Sequence, residues 1–175
     1  MLSARREGHL NELATTLRSS LPPSVPAPFV LPLDVLDLDA QKKALGTIIS
    51  KFGRIDSLVL NAGRAQRSLA SNTSLEVTQE ILQLNFFAAV NLATITLPQF
   101  SNQGSGQFVV ISSVAGKFGV PISSSYAASK FALQGYFDSL RAEVSAQGIQ
   151  VSSICPGLEL KPKFVLSALN FALLM

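Results

Sequence analysis

The chain has 175 residues, of which 47% are hydrophobic and 14% charged, with a formal net charge of +3. Ordinary globular domains carry about 25% charged residues, so this composition excludes a disordered tail, a solvated linker and a charged coiled coil. The length suits one domain with a sizeable core, and the scattered bases lack the basic, aromatic-interleaved face of a nucleic-acid binder.

In chain order, Met1–Ala4 reads as the tail end of a strand. Leucines 10, 13 and 17 mark a helix over Glu7–Ser20. Leu21–Pro28 is a proline-rich loop, Phe29–Leu33 a buried strand and Asp34–Asp39 a polar turn. Ala40–Phe52 is helical, with Ala44, Leu45, Ile48, Ile49 and Phe52 on one face. Ile55–Leu60 is a second clear strand, followed by a loop to Asn72. Thr73 opens a long helix through a capping box with Glu76, and Pro98 marks its end. Gln107–Ser112 is a strand, Ser123–Gln147 a helix stopped by Gly148, and Ile149–Cys155 a last strand stopped by Pro156–Gly157. The strands are continuous apolar runs, which belong to parallel sheets covered on both faces. The order implies a doubly wound α/β domain, a single one, with neither repeat nor linker.

One cysteine, Cys155, allows no intrachain disulfide, and with His9 as the sole histidine there is no zinc cluster. His9 reads as a surface helix residue. The opening MLSARREGHL has no long apolar core and is not a signal peptide. Phe164–Met175 is strongly apolar, but its 12 residues fall short of the ~20 a spanning helix needs. It reads as a buried or interfacial helix, and a membrane-surface role through it stays open.

Four features could carry chemistry. Tyr126 and Lys130 are four residues apart and share a helix face. A lysine ammonium beside a phenol favours the phenolate, which suits proton exchange with a carbonyl/alcohol pair; the same spacing also serves exposed helix pairs. Ser113 ends a strand 13 residues before Tyr126, where such sheets open onto a ligand crevice. Its neighbour Ser112 reads as a turn residue. Asn61-Ala62-Gly63 directly follows a strand and is either a plain turn or a wall that a flat ligand approaches. Asn85, an amide in an apolar helix, needs a partner: a structural one, or a water in a proton path.

Together, Asn61-Ala62-Gly63, Asn85, Ile111-Ser112-Ser113, Tyr126-x-x-x-Lys130 and Pro156-Gly157 resemble the short-chain dehydrogenase/reductase family in order and spacing, over roughly residues 1 to 157. Phe52-Gly53-Arg54-Ile55-Asp56, Gln66-Arg67-Ser68-Leu69, Thr73-Ser74-Leu75 and Ile154-Cys155-Pro156-Gly157 are similar to its dehydrogenase/reductase member 7 branch. The resemblance implies a Rossmann-like sheet. It implies an oxidoreductase moving a hydride between NADP(H) and a carbonyl or secondary alcohol, with steroids, retinoids and other lipophilic ketones open as substrates. Tyr126 would be the general acid/base, Lys130 its activator and a ribose ligand, Ser113 the carbonyl-positioning hydroxyl, and Asn85 the fourth member of the tetrad. Asn61, Ala62 and Gly63 would line the cofactor groove, Asp34 and Val35 flank the adenine, and Pro156 and Gly157 sit near the nicotinamide.

Arg5 and Arg6 fall where the family's second strand ends, with no acidic residue there. Arginine pairs well with phosphate, so the resemblance implies NADP(H) over NAD(H), with Arg5 the contact; a surface arginine pair is the alternative. The family's Gly-x-x-x-Gly-x-Gly turn is absent, since the only Gly-x-Gly, Gly104-Ser105-Gly106, follows a helix. The resemblance therefore implies a partial domain over 1–157 that lacks a first βα unit of about 30 residues and the C-terminal elements. Residues 158–175 would be a divergent apolar tail. A homo-oligomer through helices Ser74–Pro98 and Ser123–Gln147 is implied as well. The contrasting expectation is a non-catalytic truncated product that only associates with partner subunits. The compartment stays open: cytoplasmic, or the endoplasmic reticulum membrane for a longer, anchored parent.

Overall fold

A computed structural model describes residues 1–157; the apolar run Phe164–Met175 lies outside them. Helix α1 spans Glu7–Ser20 and buries Leu10 and Leu17, as their helical spacing requires. Helix α2 spans Leu38–Phe52. The Asp37 carboxylate caps it by accepting from the Ala40 amide, and Gly53, at φ 76°, closes it in the left-handed conformation that favours glycine. Strand β1 is Ser57–Leu60, β2 is Gly106–Ile111 and β3 is Ile149–Ile154. They form one parallel sheet in the order β1-β2-β3, with Leu58 beside Phe108 and Phe108 beside Val151. This is a Rossmann-like α/β arrangement with an incomplete sheet.

Two expectations about the strands change. Phe29–Leu33 is no member of this sheet. Val30 makes an isolated parallel bridge to Leu2, the Leu2 amide donates to Phe29 O at 2.8 Å, and Phe29, Val30 and Leu31 are half-buried rather than buried. The physical reason is lateral: strand character depends on neighbours, and among the described residues this ladder has no third strand. Nor are the sheet strands buried on both faces. Leu58, Leu60, Phe108, Val110, Ile149 and Val151 share the face that meets α4 and α5. The other face carries a polar row, Ser57–Gln107–Ser152, and its Val59 and Ile154 are each 38% exposed.

The long predicted helix is three pieces: α3 (Leu75–Leu82), a π-turn (Gln83–Phe87) and α4 (Ala88–Gln103). Its cap lies one residue later than the Thr73/Glu76 box. The Ser74 hydroxyl accepts from the Val77 amide at 3.4 Å, while Thr73 Oγ1 donates back to Leu69 O. Nor does the helix stop at Pro98; it runs on to Gly104, at φ 64°. An internal proline costs one helical bond, and tertiary packing overrides it: Phe100, fully buried, packs at a tilt against Phe108 with ring centroids 4.8 Å apart. From Leu75 to Gln103 the chain is long and apolar enough to cross a membrane by length and composition, yet Ile81, Ala88, Ala93 and Phe100 are buried within the fold. Helix α5 spans Ser124–Val144, and Gly148 at φ 70° turns the chain into β3.

The apolar interior is split. One cluster joins Phe100, Phe108, Val110, Phe137, Leu140 and Val144 among others; a second joins only Leu2, Leu10 and Leu17 with Leu13, Ala14 and Val30 around them. Helix α2 links the two halves. Phe52 is half exposed rather than buried, and meets Phe29 edge-on at 5.8 Å. Gln41, fully buried, donates to Val35 O and accepts from Asn91 Nδ2 of α4 at 2.7 Å.

Candidate active site

Three parallel strands deliver the residues after their carboxyl ends to one edge of the sheet, the usual ligand edge of such folds. β1 leads into Asn61, β2 into Ser112 and Ser113, and β3 into Pro156 and Gly157. Two main-chain bonds hold the second and third together past the strands: Ser112 N donates to Ile154 O at 2.8 Å and Val114 N to Pro156 O at 2.9 Å. An open cleft of about 250 Å³ lies there, and Asn61, Gly63, Ser113, Tyr126, Lys130, Pro156 and Gly157 all line it.

Helix α5 supplies Tyr126 and Lys130 from its first two turns. Lys130 is 5% exposed, and its Nζ donates to Ile111 O at 2.8 Å and stands 5.8 Å from the Tyr126 ring centroid. Burial disfavours the charged form and pushes the ammonium down from 10.5 to about 8, with a smaller Coulombic influence of Cys155 acting the other way. The close seat of α5 depends on Gly116. A β-carbon there would lie 2.7 Å from Ser112 Oγ and 2.8 Å from Lys130 O.

Asn85 stands one layer behind the cleft rather than in its wall. It is 1% exposed, and the π-turn directs its amide onto the loop after β1. Oδ1 accepts from Arg64 N and Nδ2 donates to Arg64 O. Gly63 is pressed close to this clamp, since a β-carbon on it would meet Asn85 Oδ1 at 3.0 Å. The side chain thus has the partners a buried amide needs.

Ala62 is adjacent but does not line the cleft, and neither do Arg5, Arg6, Asp34 and Val35. Those four lie at the end of the separate ladder, where Arg5 and Asp34, both exposed, approach to 4.0 Å. The cleft also contains Arg64, Ala65, Ile111 and Ser112, which the sequence did not single out for it. Ser112, read as a plain turn residue, is 4% exposed, and its hydroxyl donates to Lys130 O at 3.3 Å. Ser129 was missed too, although it sits inside the Tyr-x-x-x-Lys block; it is fully buried between Asn85 and Tyr126.

The residues fit the nicotinamide–ribose half of a dinucleotide. Lys130 Nζ has three donors and meets one acceptor among the described residues, which leaves donors for sugar hydroxyls. No described loop offers the Gly-rich turn expected around a pyrophosphate.

A family model described as short chain dehydrogenase matches residues 1–161. The chain is 43% identical over 129 residues to the human dehydrogenase/reductase SDR family member 7, covering 73% of this chain and 38% of that protein. It is 36% identical over 158 residues to a Drosophila melanogaster SDR family protein 7-like, covering 90% and 48%. A solved short-chain dehydrogenase from Streptomyces avermitilis superposes with a TM-score of 0.77 at 26% identity, over 98% of this chain and 66% of that one. The chain spans about half or less of the curated relatives' length. On the match over 1–161 and the sheet-edge cleft, the chain belongs to the short-chain dehydrogenase/reductase family of oxidoreductases and is similar to the member 7 proteins within it.

Proposed function

We propose that the chain carries the proton-transfer half of an NADP(H)-dependent oxidoreductase acting on a carbonyl or secondary alcohol. The observation that carries this reading is the meeting of Ser113, Tyr126 and Lys130, from a strand end and a helix, at one open cleft. When bound, the nicotinamide would supply or accept the hydride. Tyr126 Oη gives the proton to the carbonyl oxygen, or takes it from the alcohol. Lys130 stabilises the phenolate through its charge and holds the ribose with its spare donors. Ser113 Oγ orients the substrate oxygen, and Asn85 keeps the Gly63–Arg64 wall at its working distance. Arg5, which approaches Asp34, and its neighbour Arg6, both exposed, receive the 2′-phosphate.

The test is NADPH-dependent reduction of a panel of ketones by the purified chain. Tyr126→Phe should abolish turnover while leaving NADPH binding within a few-fold. Turnover that survives Tyr126→Phe, or NADPH binding absent at millimolar concentration, overturns the reading.

A second reading, a non-catalytic product that associates with partner subunits, is favoured by Phe87 and Phe131, which are 51% and 44% exposed on the π-turn and α5. Sedimentation velocity would show a dimer that Phe131→Glu dissociates.

A further inference from the structure

Beside the cleft-facing side of α5 runs a second, buried polar side. Ser125 and Ser129 precede Tyr126 and Lys130 by one position each, are four residues apart, and are 5% and 0% exposed. One residue turns a helix by about 100°, so these hydroxyls point away from the cleft, toward α3 and the π-turn. There each meets a partner. Thr78 Oγ1 and Ser125 Oγ share a hydrogen bond of 2.8 Å, and Asn85 Nδ2 donates to Ser129 Oγ at 3.0 Å. Ser129 Oγ passes its own proton to Tyr126 O at 2.7 Å. A serine inside a helix often bonds only its own backbone; here the hydroxyl's accepting side is taken by another element. An unbroken run of bonds therefore leads from Arg64 in the cleft wall, through Asn85 and Ser129, to the main chain of Tyr126.

We infer that Ser129, with Ser125 one turn before it, is a positioning residue that fixes the roll of α5 and so turns Tyr126 and Lys130 into the cleft. Apolar packing alone is non-directional and tolerates small rolls, whereas hydrogen bonds are directional. The face of α5 that meets the large core, with Leu133, Phe137, Leu140 and Val144, begins only after this polar stretch. On the side toward α3 and the π-turn, the two hydroxyls set the orientation of the first two turns, while Ser112 and Ile111 hold Lys130 from the sheet side. The inference rests on the oxidoreductase reading for what the positioning serves, and on geometry alone for the positioning itself.

Lys130 reports the roll. It stays buried only while α5 keeps its orientation, and a roll toward water relieves the burial that lowers its pKa. The experiment titrates the full chain labelled with 13C-lysine, the Lys130 signal being assigned through Lys130→Met. In Ser129→Ala, the Lys130 midpoint should rise from about 8 toward the ordinary lysine value, by about one unit or more, with the far-UV circular dichroism retained. Ser129→Cys keeps the volume and a weaker donor, and should fall between. Ser139→Ala, which removes an exposed α5 hydroxyl bonded to its own helix at Gly135 O, should change nothing. An unmoved midpoint in folded Ser129→Ala overturns the inference. If that variant does not fold, an unmoved midpoint in Ser129→Cys does the same. The titration needs no turnover, so it separates the two claims. An unmoved midpoint together with Tyr126-dependent turnover leaves the oxidoreductase reading intact, whereas a shifted midpoint without turnover preserves the positioning of α5 and removes that reading.

Discussion

The Asn85 amide holds both main-chain polar groups of Arg64, accepting from its N–H at 2.9 Å and donating to its carbonyl at 3.0 Å. It closes on the loop as a second strand would. The π-turn makes this possible, because a widened turn changes which side of the helix a residue faces. A residue that an ordinary helix would aim elsewhere thus braces the wall of the cleft.

Removing that brace leaves the Arg64 groups and one side of Ser129 without a protein partner among the described residues. Asn85→Ala should cost about 3 kcal/mol of stability in urea unfolding, and turnover should drop by about 100-fold through the displaced loop. Asn85→Asp places an acceptor against the Arg64 carbonyl. It should be no more stable than the alanine variant at neutral pH, and should regain stability on acidification as the introduced carboxyl protonates. A cost below about 0.5 kcal/mol for Asn85→Ala would show that the clamp matters little.

Lys130 gives the fold a pH signature. Its pKa is lowered in the folded chain, from 10.5 to about 8, so between those values the unfolded chain binds more protons and stability rises with pH. Below about 8 the penalty for the buried charge is fully present. Subtracting the Lys130→Met curve from the wild-type curve isolates this contribution from other groups titrating in the window. The difference should favour Lys130→Met by a few kcal/mol at pH 7 and shrink steadily between pH 8 and 10.5. A flat difference across that window would refute the buried-cation account.

Gly106 is the point where β2 begins under α4. A β-carbon there would lie 2.2 Å from a Phe100 ring atom, and Phe100 is fully enclosed. Gly106→Ala should therefore lose about 3 kcal/mol. Phe100→Leu in the same chain should recover part of that loss, giving strong non-additivity in a double-mutant cycle. Additive costs would mean that the two sites do not press on each other.

Under the proposed function, cofactor choice turns on Arg5. Arg5→Ala should lower kcat/KM for NADPH by about 10-fold, the value of one charge-assisted contact to phosphate, and leave kcat/KM for NADH nearly unchanged. Equal losses with both cofactors would place the 2′-phosphate elsewhere.

Much of the site could be read from the sequence, for two reasons. Ile55–Leu60, Gln107–Ser112 and Ile149–Cys155 carry enough apolar residues to mark strands, though not the polar row on their open face, and a parallel sheet brings all their carboxyl ends to one edge. Helix geometry places Tyr126 and Lys130 on one face, and the family resemblance distinguishes them from an exposed pair. What escaped was decided by tertiary contacts. Pro98 looks like a stop signal, yet Phe100 holds the next turn down. Phe29–Leu33 has strand composition, but among the described residues no third strand joins its ladder with Leu2. Ser112 and Ser129 look like ordinary small residues until the structure shows each enclosed beside Lys130 or Asn85. Gln41, fully buried, gave no signal at all, because an amide's partners cannot be read from spacing.

The separation of the two apolar clusters bears on how the chain comes apart. They meet through α2, by the Phe29–Phe52 edge contact and the Gln41–Asn91 amide bond, which is thin coupling for cooperative melting. The Leu2–Val30 ladder and α1 should open first, as a sub-global event with fast amide exchange. Phe108 and Val110, flanked by strands on both sides and roofed by α4 and α5, should exchange only on complete unfolding. The half of the molecule that carries Arg5 and Asp34 would then fluctuate independently of the half that carries Tyr126 and Lys130, and a dinucleotide reaching across both would act as a molecular staple, raising protection most in the weaker half.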